Sequence, residues 1–356
     1  MAVQELSTSI PELQLMLDDM LEADPMFQPT QFWSICMKEI IDDLDSFGMD
    51  NFKSHKSALS YYVQRYALDP YLFQRSVYDK ICETVAPLQM HIEVAMKEYM
   101  DGIARSDADY RVFSAADIEG KAPKLTNIGE DLYGQPIESL VIDNKIYSVS
   151  LLSYLKKLAF LKKHVDTENI SNIMEIGGGY GTLGEILLKS NPDKYFFLDI
   201  DIPPLAYVSA SYLKKVFGEE AIAGYSETRN MEVIDVDELR KKYRAAVICP
   251  WQLPKVKGKF ELFVNASSFQ EMEPEVLENY SHYIDELVTD YILLKNSRIG
   301  KRPVTSEDEL GVKKNILRED YLRYFNKFSL VATDAKAFGL VYRNFISDVM
   351  LLKRRK

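Results

Sequence analysis

The sequence runs to 356 residues, 47% hydrophobic and 27% charged, ordinary globular proportions with length enough for two domains of usual size. A formal net charge of -11 and a pI of about 5.1 create a field that repels polyanions, which argues against nucleic acid as the main partner. Cys36, Cys82 and Cys249 lie far apart with no CxxC pair, so neither a disulfide framework nor a zinc site is expected, and a reducing cytoplasm fits.

The first residues, MAVQELSTSIPELQLMLDDM, have no basic region, and acids interrupt their apolar residues, which is not the pattern of a secretory leader. No stretch approaches the ~18 consecutive apolar residues of a spanning helix, so a soluble cytoplasmic protein without a transmembrane segment is expected. Residues 1–105 read as a helical N-terminal domain. Phe32, Trp33, Ile35, Cys36, Ile40, Ile41 and Leu44, then Ile81, Val85, Leu88, Ile92 and Met96, recur at the three-to-four spacing of buried helix faces. Between them SALSYYVQRYALDPYLFQRSVYDK concentrates tyrosine and arginine, read as helix packing with the tyrosine tips in water.

Residues 106–165 read as a connector and a pre-core helix. VIDNKIYSV predicts two short strands around a tight turn at Asp143-Asn144, and LLSYLKKLAFLKKHV at 151–165 predicts a helix, apolar on one side and lysine-rich on the other. From 166 to 356, β-like runs alternate with helical ones: NIMEIG, a helix over 182–190, KYFFLDI, a helix over 205–217, AAVICP, FELFVNA, a helix over 274–287, DYILLKN and a helix over 318–326. FSLVATD and NFISDVMLLK then follow with no helix between them. The alternation predicts an α/β fold whose mostly parallel sheet is covered on both faces and closed by a C-terminal antiparallel hairpin. The tail KRRK at 353–356 reads as a solvated chain end.

The segment IMEIGGGYGTLGE at 173–185 is the first strand–turn–helix of that region. At such a turn, on the carboxyl edge of the sheet, backbone N–H groups face outward, and glycine lets a ligand approach them closely. Glu175, Gly177, Gly179 and Gly181 spell E-x-G-x-G-x-G, and Thr182 with Glu185 spells a T-x-x-E capping box. Gly179, Gly181 and Gly184 also spell G-x-G-x-x-G, the dinucleotide fingerprint, so the glycines alone leave two cofactors open. S-adenosylmethionine (SAM) carries an amino-acid end and a sulfonium cation in place of a pyrophosphate, and the acid Glu175 beside the turn suits it better than NAD.

At the tip of the second strand, Asp199 and Asp201 follow Gly181 by 18 and 20 residues. One carboxylate can accept from both ribose hydroxyls, and Asp201 is the first choice, with Asp199 in support. CPWQLP after the third strand sets Trp251 to stack on an adenine and Gln252 to hydrogen-bond its edge. The fourth strand ends in a polar cluster, Asn265, Ser267, Ser268, Gln270 and Glu271, ahead of a helix opened by Pro274. Asn296, Ser297 and Arg298 follow the fifth strand at the same edge, where Lys295 and Arg298 are the basic residues best placed for a phosphate.

IMEIGGGYGTLGEILL, FFLDIDIPP, PWQLP and above all NASSFQEM resemble the SAM-dependent sugar O-methyltransferase family of bacterial glycan and antibiotic-sugar gene clusters. YGQPIESLVIDNKIYSVSLLSYL resembles its pre-core segment, and the likeness covers roughly residues 125 to 350. The resemblance implies a class I Rossmann-like methyltransferase sheet, with SAM as donor and a saccharide hydroxyl as acceptor, on a glycan, a nucleotide sugar or a glycosylated natural product. The terminal hairpin fits that class, and dinucleotide dehydrogenases generally lack it. Asn265 stands where many methyltransferases carry an acid, which weakens a metal-dependent mechanism at that position; no metal ligand is assigned, and a divalent metal stays open.

On this reading the SAM pocket is Glu175, Gly177, Gly179, Gly181, Asp199, Asp201, Trp251, Gln252 and Asn265, while Ser268, Gln270, Asn296 and Arg298 bind the saccharide. A sugar hydroxyl is a weak acid and needs a base beside it. Glu271 is the first choice, with His282 in the following helix behind it; His55, His91 and His164 lie outside the predicted catalytic edge. Three alternatives stay open: a methyltransferase for a non-sugar small molecule, an NAD-dependent oxidoreductase, and a silent binding protein that kept the fold. Either a monomer or a homo-oligomer is compatible with the sequence.

Overall fold

Apolar residues at helical spacing build α1 (Pro11–Glu22), α2 (Gln31–Phe47) and α3 (Lys56–Tyr61) in a computed structural model that describes residues 6–66, 80, 83–84, 102–137, 140–306, 308–334 and 347–356. Leu13, Met16, Leu17 and Met20 of α1, and Phe32, Trp33, Cys36, Ile40, Ile41 and Leu44 of α2, are buried as the spacing requires. The second predicted stripe, Ile81 to Met96, lies outside the described residues together with Cys82 and His91.

After α4 (Ile103–Ala116) comes a hairpin of β1 (Leu140–Ile142) and β2 (Lys145–Tyr147). Ile142 pairs with Lys145, and the two turn residues Asp143 and Asn144 both have positive φ, 49° and 60°, the geometry that a two-residue hairpin loop demands. Ser148 then caps α5 (Val149–His164), its Oγ accepting the Leu151 N–H at 3.1 Å. The lysine-rich side of α5 is only partly outward. Lys157 and Lys162 are buried, Lys162 because it pairs with Asp117 at 2.6 Å.

The remainder runs β3 (Asn172–Ile176), α6 (Thr182–Ser190), β4 (Phe196–Ile200), α7 (Pro203–Phe217), β5 (Ile222–Ala223), α8 (Tyr225–Thr228), β6 (Ile234–Asp235), α9 (Val236–Lys242), β7 (Ala245–Ile248), β8 (Val256–Lys257), β9 (Phe260–Ala266), α10 (Pro274–Leu287), β10 (Val288–Ser297), α11 (Arg318–Tyr324), β11 (Phe328–Asp334) and β12 (Ser347–Arg354). The sequence misses the short elements β5, β6, β8, α8 and α9. It starts α7 two residues late, because Pro203 and Pro204 fit a first helical turn, where no backbone N–H is needed.

The main sheet has the order β11-β12-β10-β9-β3-β4-β7-β5. β10, β9, β3, β4, β7 and β5 are parallel neighbours, while β12 lies antiparallel between β10 and β11. Taken in chain order, β7, β4, β3, β9 and β10 stand as 3-2-1-4-5, the doubly wound arrangement. This is the expected Rossmann-like α/β sheet with its C-terminal hairpin, preceded by helices.

Successive side chains of a strand point to opposite faces, and here both faces are apolar. Ile173, Phe197, Val247, Leu262 and Val264 share one core layer with α1, α2, α5, α6 and α7. Met174, Phe196, Leu198, Ile248 and Phe263 share the other with α9, α10 and α11. Each such side chain stabilises the fold by roughly 1.5–3 kcal/mol on burial, so the central strands hold the loops at their carboxyl ends in fixed positions. Among the described residues no helix is long and apolar enough to cross a membrane.

Candidate functional site

A cavity of about 1020 Å³ opens at the carboxyl edge of the sheet, at the upper end of the roughly 300–1,000 Å³ usual for small-molecule sites. Its floor is the glycine turn between β3 and α6. The Gly177 N–H donates to the Ile200 carbonyl at 2.9 Å, so the turn is fastened to the tip of β4. Gly177 has φ +78°, and a Cβ there would overlap the Ser268 side chain. Gly179, at φ +65°, has open space where a Cβ would stand, and that space belongs to the cavity. The predicted T-x-x-E box does not form. Gly181 is the N-cap and Thr182 the first helical residue, and Glu185 is turned away to accept from the Asp131 N–H, Lys189 and Tyr212.

The two aspartates of β4 play different parts. Asp201 lines the cavity; its Oδ2 accepts the Gly179 N–H at 2.9 Å and its Oδ1 the Ile202 N–H at 2.8 Å. Asp199 is fully buried behind the turn, where it accepts from Ser209 Oγ at 2.6 Å and lies against Gly178, and it has no place in the cavity wall. Glu175, its register partner in β3, is buried too and accepts from the Tyr154 hydroxyl at 2.8 Å, while its Oε2 has no hydrogen-bond partner among the described residues. Burial pushes all three carboxyls up, Asp199 to about 6, and the mutual repulsion of Asp199 with Glu175 and with Asp201 adds to the rise in the latter two.

Against the glycine turn packs the segment after β9. Ser267 has φ +77°, an uncommon conformation for a residue with a Cβ, held by its N–H bond to the Lys295 carbonyl at 2.8 Å. Ser268 Oγ donates to the Ile176 carbonyl at 3.0 Å, and Gln270 Oε1 accepts the Ser297 N–H at 2.6 Å. Glu271 lines the cavity with Lys301 at 2.9 Å; burial raises its carboxyl, and Lys301 and Trp33 pull it back.

Several predicted site residues stand behind the wall instead of in it. Asn265 is a buried tie: its Nδ2 donates to the Ile176 carbonyl and Ser268 Oγ, and its Oδ1 accepts from Asn296 at 3.0 Å. Asn296 is buried at that same junction. Gln252 caps its own turn on the Cys249 N–H and donates to Thr228, and Trp251 donates to the Tyr225 hydroxyl, so both ends of the CPWQLP pair serve packing and Pro250 alone of that stretch reaches the cavity. Arg298 pairs with buried Asp348 at 2.6 Å, which also holds Arg318. His282 is exposed: α10 turns Val276, Leu277, Tyr280, Ser281, Ile284 and Leu287 inward and leaves it on the water side.

The rest of the wall comes from residues the sequence assigns to packing. Phe32 and Trp33 of α2, with Tyr61 and Tyr62 at the end of α3, line the side facing Glu271; the Tyr61 hydroxyl, bonded to Glu39, is on the exposed side as expected of a tyrosine tip, whereas the Tyr62 hydroxyl is buried. Tyr154 and Lys157 of α5 line it beside Lys295. No pattern marks Phe32 or Trp33, because a wall residue and a core residue keep the same helical spacing. Lys157 does carry a signal: it lies three residues after Tyr154, on the half of α5 that helical period turns inward.

No family model matches the sequence, and no curated protein matches it. Among solved structures the chain is similar to mitomycin 7-O-methyltransferase, at 11% identity over 57% of this chain and 57% of that one, with a TM-score of 0.37. It is similar to magnesium protoporphyrin IX methyltransferase of Synechocystis PCC 6803, with bound S-adenosylhomocysteine, at 13% identity over 58% and 83% and a TM-score of 0.37. A third is the 1,6-didemethyltoxoflavin-N1-methyltransferase of Burkholderia thailandensis, at 13% identity over 58% and 79% and a TM-score of 0.40. The chain spans little more than half the length of the mitomycin enzyme.

Proposed function

We propose that the protein is a SAM-dependent O-methyltransferase whose acceptor is a sugar hydroxyl. The observation that carries the reading is the pairing of Asp201 with Gly179 at the β3–β4 edge of the cavity: a carboxylate suited to ribose hydroxyls, joined to a turn with bare backbone and open space over it. The sheet supports it against an NAD enzyme, because β12 enters antiparallel between β10 and β11, where a dinucleotide fold continues parallel.

SAM, when bound, supplies an electrophilic methyl group on a sulfonium. Asp201 holds the ribose, the Gly177–Gly179 backbone leaves room for the nucleoside and amino-acid end, and the acids Glu175 and Asp199 keep Tyr154 and the turn in place from behind. Residues 166–356 are the donor-binding part, and α2 and α3 close the acceptor side with Phe32, Trp33, Tyr61 and Tyr62. Glu271 takes the proton of the acceptor hydroxyl, with Lys301 steadying its charge, and Ser268 and Gln270 border the same space. Positioning a hydroxyl in line with the donor accounts for much of such a rate enhancement, and a rigid strand edge is suited to it.

The aromatic acceptor side favours a second reading equally well, a flat non-sugar natural product stacked on those rings. Labelled SAM incubated with nucleotide sugars, oligosaccharides and phenolic compounds separates the two. Label in a saccharide is the expected result, label only in phenolic products selects the second reading, and binding of NADH without binding of SAM overturns both.

A further inference from the structure

Two cations in the cavity wall, Lys157 and Lys295, form no direct ion pair among the described residues. Lys157 is 4% exposed, and the Lys157 Nζ sits over the Tyr154 ring at 3.5 Å. Lys295 is half-buried, and its Nζ donates to the neutral Ser267 Oγ at 3.3 Å. The ion pairs of this region run from Lys156 to Asp109 and from Lys301 to Glu271, and among the described residues neither Lys157 nor Lys295 is in an ion pair, although Glu175 attracts Lys157, and Glu271 and Asp109 attract Lys295, from farther off. Both lysines nonetheless line the cavity beside the glycine turn.

A buried ammonium without a partner is costly, and a methionine would fill the same volume without that penalty. Two of them on one wall repel each other as well. Burial and the neighbouring charge of Lys295 hold the Lys157 ammonium well below the usual lysine range, and burial and Lys156 lower Lys295. An anion bound at that wall would offset both effects at once.

We propose that Lys157 and Lys295 form an anion subsite in the cavity, one that takes a carboxylate or phosphate group of a bound ligand. The assignment of that group, either to the amino-acid end of the methyl donor or to an acidic acceptor, rests on the SAM reading; the subsite itself does not.

The test uses the full chain and calorimetric titration of wild type, Lys157→Met, Lys295→Met and Lys157→Arg. The probes are S-adenosylhomocysteine, 5′-methylthioadenosine, which keeps the nucleoside and thioether but has no amino-acid end, and inorganic phosphate. If the anion belongs to the donor, both methionine variants bind S-adenosylhomocysteine at least tenfold more weakly, bind methylthioadenosine as wild type does, and Lys157→Arg keeps most of the affinity. If it belongs to the acceptor, both nucleosides bind unchanged, while phosphate binds wild type saturated with S-adenosylhomocysteine and fails to bind the methionine variants. Unchanged S-adenosylhomocysteine affinity, with phosphate binding absent or equal in every variant, overturns the subsite. A variant that loses both nucleosides equally has lost the whole pocket, and that outcome also counts against it. Failure of wild type to bind either nucleoside overturns the SAM reading instead, and phosphate titrated into ligand-free protein then decides the subsite alone.

Discussion

Asp201 Oδ2 accepts the backbone N–H of Gly179 at 2.9 Å, so the acid at the tip of β4 and the barest point of the glycine turn are one unit. Replacing Asp201 removes from the cavity wall the carboxyl placed to accept both ribose hydroxyls. A hydrogen bond contributes about 0.5–1.5 kcal/mol, so losing two in Asp201→Ala is expected to weaken S-adenosylhomocysteine binding by roughly ten- to a hundredfold. Calorimetry beside a circular dichroism spectrum checks this. Wild-type affinity in a folded variant would remove Asp201 from the ribose site.

Gly177 and Gly179 share a left-handed backbone and differ in their surroundings. An alanine at either costs about 1–2 kcal/mol in backbone conformation. At Gly177 the added methyl group also overlaps the Ser268 side chain, whereas at Gly179 it enters open cavity. Gly177→Ala is therefore expected to lower the melting temperature well beyond Gly179→Ala, and Gly179→Ala to abolish nucleoside binding with a modest loss of stability. Thermal melts and titrations of the two variants give the comparison; equal melting temperatures would contradict it.

What the sequence revealed and what it concealed divide along physical lines. Strand–helix alternation, the Asp143-Asn144 turn and the Gly177–Gly181 spacing are local signals, and the sheet, hairpin and turn form where those signals stand. Asp201, Ser268, Gln270 and Glu271 also reach the cavity, because a residue just past a central strand has little choice of position. Asn265, Asn296 and Gln252 were legible as polar residues at the right edge, but polarity there serves two ends, contact with a ligand or satisfaction of a buried backbone, and hydrogen-bond partners decide between them. The acceptor wall was hidden for a different reason. Phe32, Trp33 and Tyr61 line one cavity with Glu271 across more than two hundred residues of chain, and no periodicity records such a meeting.

Asp199 gives a pH signature. Its carboxyl is raised from 3.8 to about 6 in the fold, chiefly by burial, so the native state holds the proton over a range where the unfolded chain has released it. Its contribution to stability is present below about pH 4 and is lost as pH rises through about 6, a change on the order of 3 kcal/mol. Other carboxyls titrate in the same window, so the quantity to measure is the difference in unfolding free energy between wild type and Asp199→Asn. That difference should fall, to the detriment of wild type, between pH 4 and 7. A difference independent of pH, or of opposite slope, would show the group ionised throughout.

Glu271 separates binding from turnover. It lines the same cavity as the glycine turn and pairs with Lys301, so Glu271→Gln keeps the shape of the wall and removes the base. General-base catalysis contributes roughly 10²–10⁴-fold, and a loss of kcat of that order is expected with S-adenosylhomocysteine affinity unchanged. Activity within a few-fold of wild type would place the base on another group.

The buried ion pair of Lys53 and Glu130 ties the first part of the chain to the sheet. The nitrogen and oxygen are 2.7 Å apart, with the two side chains 0% and 1% exposed. Lys53 also donates to the Tyr212 hydroxyl of α7 at 3.0 Å, and that hydroxyl donates to Glu185 of α6 at 2.8 Å, so four segments meet at one ammonium group. Losing one partner of such a pair leaves the other charge buried and alone, which costs about 3–5 kcal/mol, whereas losing both leaves no stranded charge. Lys53→Met is therefore expected to lower the unfolding free energy by that amount, and Lys53→Met with Glu130→Gln to lower it by less than the sum of the single changes. Urea unfolding of the four proteins closes the cycle; additive losses would mean that the two groups do not depend on each other, and that the stability of this junction comes from the rings of Phe52, Tyr180 and Tyr212 packed around it.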